Sequence, residues 1–189
     1  MKAIFFLVLA LFPAMPAAAQ QPTQRQTEAF ILDMQSRTAP DYSNWNREVT
    51  LSFSGPMITR VNERWNRNNG AHLESVQRLD IRDVGSVLMR TSQGVSEDNR
   101  CRLHVVRLIC REPECIDYVF TRHRDMIGNS HPPSRSADSE MFPGSFCEED
   151  MQSARRLGNA FAHLAEIHGN PVEIVDELFD PAAIGSAFD

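Results

Sequence analysis

The hydrophobic period of the chain changes along its length, and each change marks a change of element. From 23 to 38, TQRQTEAFILDMQSRT places Phe30, Ile31 and Met34 on one side of a helical projection, with Pro40 beyond, which predicts a short helix. The period then drops to two. Val49, Leu51 and Phe53 alternate with polar neighbours, Ser54-Gly55-Pro56 supplies a turn, and Met57, Thr59, Val61 and Trp65 alternate again, predicting two strands. Asn66 to Gly70 carries strong turn chemistry. Val76–Val84 and Ser86–Thr91 read as further strands divided near Gly85, and Gln93–Arg100 as a polar connection. Leu103, Val105, Val106, Leu108 and Ile109 form a β-branched run suited to a strand covered on both faces. Arg111-Glu112-Pro113-Glu114 reads as a four-residue loop, after which Cys115–Phe120 resumes a strand pattern.

No period is sustained from Thr121 to Ser145, a stretch with His131-Pro132-Pro133, several serines, Pro143 and Gly144. It is expected to be the open and most mobile part of the fold, with few apolar anchors to offset its ordering entropy. Ser145-Phe-Cys-Glu148 has the spacing of a capping box, and Met151, Ala154, Leu157, Gly158, Phe161, Leu164 and Ala165 share one helical face. A helix over 146–168, stopping at Gly169, follows. Asn170 and Pro171 have the chemistry of a cap and a first helical position, predicting a short last helix with Val172, Ile174, Val175, Leu178 and Phe179 on its apolar side. That helix is expected to fold back on the protein; the alternatives are docking in a partner's groove and a disordered tail.

Five or six strands followed by an amphipathic helix imply an α+β fold: an antiparallel sheet or partly open barrel with the long helix packed on it, plus short N- and C-terminal helices. This order of elements resembles a pleckstrin-homology layout, a likeness of layout that rests on no residue motif.

Composition adds a compartment. MKAIFFLVLALFPAMPAAAQ has Lys2, an apolar run from Ala3 to Phe12 and small residues at Ala17–Ala19, the pattern of a cleaved signal peptide. Pro13 and Pro16 interrupt it short of the roughly 18 apolar residues of a membrane span. The expected organisation is a signal peptide over 1–19, an N-terminal helix and connector over 20–45, a disulfide-stapled α+β domain over 46–169, and a short helix and tail over 170–189. The mature protein is expected in the periplasm or outside the cell. Lys2 is the only lysine, so residues 20–189 carry 18 arginines against 25 acids, a formal charge of −7. Schiff-base lysine and phosphate-loop lysine chemistry are thereby excluded. An acidic chain without a basic stripe also argues against nucleic acid as a partner.

In that compartment four cysteines, Cys101, Cys110, Cys115 and Cys147, read as two staples. A redox role lacks a Cys-x-x-Cys. Zinc at Cys101 and His104 is disfavoured because residues three apart on a strand face opposite ways. A symmetric hairpin would set Cys110 opposite Cys115, leaving Cys101 for Cys147. No catalytic motif, cofactor signature or metal-ligand spacing is present. The densest polar cluster is Thr121-Arg122-His123-Arg124-Asp125. Arg122, His123 and Arg124 could hold an anion, although a solvated strand end is the simpler reading. Glu148-Glu149-Asp150 is explained by the dipole of a helix start. The function this supports is a non-enzymatic binding or interaction module of a bacterial envelope, with an envelope protein or small ligand as partner. The alternative is a hydrolase with dispersed acid and base residues near His123.

Overall fold

A computed structural model describes residues 21–36, 45–95, 102–125, 127–147 and 150–178. The first helix, α1, is Gln24–Ser36. Thr23 and Gln26 start it reciprocally: the Thr23 N–H donates to Gln26 Oε1 at 2.9 Å and the Gln26 N–H to Thr23 Oγ1 at 3.4 Å. Strands β1 (Trp45–Ser54), β2 (Met57–Asn66) and β3 (His72–Asp80) form an antiparallel meander. Gly55 takes a φ of 58° at its first turn. At its second, Asn66 Oδ1 accepts the N–H groups of Asn68 and Asn69. A 3₁₀ turn over Ile81–Asp83, not Gly85, divides β3 from β4 (Val84–Val95). Then come β5 (Arg102–Cys110), β6 (Ile116–Arg124), β7 (Ser134–Asp138), β8 (Glu140–Cys147), α2 (Met151–Ile167) and β9 (Glu173–Glu177).

Among the described residues the strands make two sheets, an antiparallel one in the order β1-β2-β3-β6-β7 and a mixed one in the order β8-β5-β4-β9. The chain passes between them at Ile81–Asp83, at 111–115 and at Ser139. The strands that change sheet keep the same neighbours, β3-β6-β7 in one and β4-β5-β8 in the other, so three strand pairs bend side by side around one corner. Hydrogen bonds between the bends hold it: Arg111 N–H to Asp83 O at 2.8 Å and Cys110 N–H to Ser139 O at 2.9 Å.

One apolar core fills the angle. Ile31 and Met34 of α1, Leu51, Ile58, Leu79 and Ile116 of the first sheet, and Met89, Val106, Leu108, Met141 and Phe146 of the second meet Leu157, Phe161 and Leu164 of α2. Gly158 lets α2 press onto β4: a Cβ there would stand 2.4 Å from the Met89 sulfur. The helix ends in a Schellman motif, with Gly169 at φ 77°, its N–H bonded to Glu166 O and that of Asn170 to Ala165 O, both at 2.9 Å. This delivers the Asn170 side chain into the corner. It is 5% exposed, its amide donates to Ile81 O and Val84 O at 2.9 Å each, and its oxygen accepts from Arg111.

The α+β class and the long packed helix agree with the sequence reading, and several details do not. Residues 121–145 are not a structureless loop: β6 runs on to Arg124, and β7 and most of β8 follow. Both new strands are sheet edges, where a polar SRSAD and the proline of EMFPGSFC are tolerated because one side of the ladder needs no partner. Ser145 lies inside β8, so no capping box forms there. Helix α2 starts at Met151 with Asp150 at the cap position, making no side-chain cap bond. The predicted last helix is the parallel strand β9, pairing Ser86 with Glu173 through Arg90 with Glu177. Its β-branched Ile174 and Val175 suit a ladder, and the buried bonds of Asn170 override its capping chemistry. The pleckstrin-homology-like order is broken by this strand after the helix. On β2, the predicted apolar stripe of Met57, Thr59 and Val61 is not the buried one: Ile58 and Arg60, 1% and 6% exposed, face the interior.

The bridge Cys110–Cys115 is present, with Cα atoms 5.8 Å apart, but not across a hairpin. β5 pairs with β4 and β8, and β6 with β3 and β7, so the bridge closes a bend between sheets. Glu114 adopts a φ of 66° within that bend. Cys147 is also disulfide-bonded. Its expected partner Cys101 lies outside the described residues, as do Glu148, Glu149 and residues 1–20, which include the stretch 1–19 expected as a signal peptide. Among the described residues no helix is long and apolar enough to cross a membrane.

Candidate functional site

Arg122, His123 and Arg124 do not converge. The β3–β6 register slips between Leu73↔Arg122 and His72↔Arg124, leaving His123 as the extra residue of a bulge. Its ring stacks on His72 with centroids 4.6 Å apart, its Nε2 lies 3.7 Å from Glu74 Oε2, and Trp65 meets His72 edge-on. Arg122 turns instead toward Phe120, its guanidinium 6.0 Å from the ring. Arg124 lies close to Gly70 and Gly128. His72 is thus part of β3 and of this stack.

Beyond β6, Asp125 organises its own turn. Its carboxylate accepts from His131 Nε2 at 2.9 Å and from the N–H groups of Ile127 and Asn129 at 3.0 and 2.8 Å. The His131 bond first, and the backbone donors after it, hold the Asp125 carboxyl at about 2. Ile127 stands 83% exposed at the tip. His123 and His131 therefore each meet a carboxylate, but neither makes a hydrogen bond to a Ser, Thr or Cys among the described residues. His104 is fully buried with Nδ1 3.1 Å from Thr91 Oγ1.

The stronger concentration of unusual chemistry lies on the inner face of the first sheet. The register sets four rows across it. Next to the corner, Phe53, Ile58, Leu79 and Ile116 belong to the apolar core. The next row is Leu51, Arg60, Gln77 and Tyr118, then Val49, Asn62, Ser75 and Phe120, then Arg47, Arg64, Leu73 and Arg122. The face thus turns from apolar to polar away from the corner, and two chains of hydrogen bonds cross it. Arg60 donates to Gln77 Oε1 at 3.1 Å, and the Gln77 amide to Asp138 Oδ2 at 3.3 Å. Arg47 donates to Asn62 Oδ1 at 3.0 Å, and the Asn62 amide to Ser75 Oγ at 3.4 Å.

Arg60 is the exception to the rule that buried charges are paired. Among the described residues no carboxylate lies within ion-pairing distance of it, and its Nε is buried without a hydrogen-bond partner. Burial, and then the charges of Arg47 and Arg64, bring its pKa down to about 10, so it remains a cation at neutral pH. Beside it the face opens into a depression of about 210 Å³ lined by Asn62, Arg64, Leu73, Ser75, Tyr118 and Phe120. Glu74 contributes to its edge but turns its carboxylate toward His123. A charged row on a strand, Arg60-x-Asn62-x-Arg64, was the signal in the sequence. It was hidden because the odd positions of the same strand looked more apolar.

No family model matches the chain, and neither a curated protein nor a solved structure does.

Proposed function

We propose that this is an exported, non-enzymatic binding module of a bacterial envelope, and that it receives a small anion on the inner face of its first sheet. The observation that supports this best is Arg60: a buried cation, close to two further arginines and reached by no carboxylate among the described residues, is stable only at a cost that an incoming anion would relieve. The neighbouring depression is smaller than the roughly 300–1,000 Å³ of sites for drug-sized ligands, which suits a small anion or the terminal group of a larger one. The export leader and the disulfides agree with a rigid module working outside the cytoplasm.

Thermal melts of residues 20–189 in chloride buffer, with added phosphate, sulfate or acetate, test the binding. A ligand held at a hundred times its Kd adds about 2.7 kcal/mol to the native state, a shift of several degrees. Arg64→Gln should remove that shift. No shift with any anion would refute the module as proposed. The alternative, a hydrolase at His123, draws support only from the Glu74 contact. It requires a hydrolytic activity that disappears in His123→Asn.

A further inference from the structure

We infer that the end of the first sheet away from the corner, at the turn after β6, docks on an anionic lipid surface. Ile127 stands 83% exposed at the tip of that turn, and among the described residues no other large apolar side chain is as exposed. The turn does not let it fold inward. The Gly128 N–H donates to Asp125 O at 3.1 Å, the Asp125 N–H to Asn129 O at 2.8 Å and the His131 N–H to Arg122 O at 3.0 Å. With the bonds to the Asp125 carboxylate, they hold the apolar tip in water. That exposure is unfavourable until the tip meets an apolar phase.

Cations flank the tip. The bulge at His123 puts Arg122 on the inner face and Arg124 on the outer face, so the turn has a guanidinium on each side. Both side chains are exposed, and neither makes an ion pair among the described residues. Arg124 lies between two turns: a Cβ on Gly70 would stand 3.5 Å from its Nη1, and one on Gly128 3.8 Å from its Nε. The Asn66–Gly70 turn is thus beside the tip and adds Arg67, whose Nε donates to the neutral Asn46 Oδ1 at 2.6 Å. The nearby carboxylates are engaged, Asp125 by His131 and Glu74 by His123. Trp65, half-buried in the row of His72 and Arg124, adds an aromatic side chain of the kind that settles at headgroup depth. A protein interface needs about 800 Å² on each side with a packed apolar centre, whereas here the apolar part is one protruding side chain. A bilayer needs no matching shape, and it supplies apolar depth beneath a layer of negative charge. The chain as a whole is acidic, so attraction to such a surface has to come from a local group of cations like this one.

Co-sedimentation of residues 20–189 with vesicles of phosphatidylcholine, with and without phosphatidylglycerol, tests the docking. Neutral vesicles should bind at least about 25-fold more weakly than anionic ones, and added salt should narrow the difference. Arg122→Gln with Arg124→Gln should weaken binding to anionic vesicles about fivefold for each arginine. Ile127→Ser should weaken it about tenfold and Ile127→Leu should not, with both melts unchanged because the side chain is in water. Ile127 lies outside the depression, so Ile127→Ser should keep the thermal shift with phosphate or acetate, and the two readings fail separately. Neutral vesicles that match anionic ones, binding that survives Ile127→Ser, or no binding to either vesicle would overturn the proposal. Displacement by free glycerol phosphate would also overturn it, by making a headgroup-sized anion the occupant.

Discussion

Arg60 and Gln77 set a test of what the buried charge does. Gln77→Leu strips Arg60 of its one hydrogen-bond acceptor and Asp138 of a donor, and should cost about 1–3 kcal/mol. Arg60→Met leaves only a neutral amide oxygen unmet and removes a desolvated cation, so it should cost less, while weakening the proposed anion binding. Urea denaturation midpoints order the two variants, and the reverse order would make Arg60 a structural anchor. At Asp125 the native pKa of about 2 lies below its ordinary value. The turn over 125–131 therefore gains stability from the ionised carboxyl at any pH above the ordinary carboxylate range. It loses that contribution as the pH falls through the native value. Following the Ile127 and Asn129 amide resonances on acidification should give a midpoint near 2, absent in Asp125→Asn. A midpoint at the ordinary carboxylate value would mean that His131 does not engage Asp125 in solution.

Asn170 carries the next prediction, because one side chain joins the end of α2 to the corner. Asn170→Ala removes the bonds to the Ile81 and Val84 carbonyls and from Arg111, although Ile81 O keeps the Val84 N–H, and should destabilise by about 1–3 kcal/mol in denaturant melts. Asn170→Asp keeps an acceptor for Arg111 but faces the Ile81 and Val84 carbonyls with a carboxylate oxygen, so it should not restore stability. An undiminished melt for Asn170→Ala would show that β9 and the helix end hold without it. The same residue marks where sequence reading stops. Helix α1, the turns at Gly55 and Asn66–Gly70, and the stop of α2 at Gly169 were legible because each depends on local chemistry. Strands β7 and β8 were not, because edge strands need neither apolar alternation nor every N–H. β9 was misread because a cap and a buried hydrogen-bonding amide use the same side chain. The candidate site was half legible: Arg122 belongs to the inner face, but Arg60, Asn62 and Arg64 emerged only once β3 and β6 fixed which side of β2 is inside.

At the scale of the molecule the corner decides the behaviour. The Cys110–Cys115 bridge spans a sequence separation of 5, so it closes a short loop, and the loop-entropy relation gives about 2 kcal/mol. Serine replacement of both residues should lower stability by that amount and cost no cooperativity. A larger loss would show that the bridge also anchors the bend between the sheets. Because each sheet draws strands from both sides of every crossing, neither can be assembled without the other. Unfolding followed by tryptophan fluorescence and by circular dichroism should coincide. The order of emergence has a consequence too. β9 follows every other described element and pairs with β4, far earlier in the chain. During vectorial synthesis or passage through a translocation pore, β4 therefore waits with one ladder edge bare while β5, β8 and α2 come through. Until Glu173–Glu177 arrives, that edge is open to adventitious strand pairing. The last described strand thus works as a closing seam, and the growing polypeptide is most vulnerable to aggregation in the interval before it is sewn.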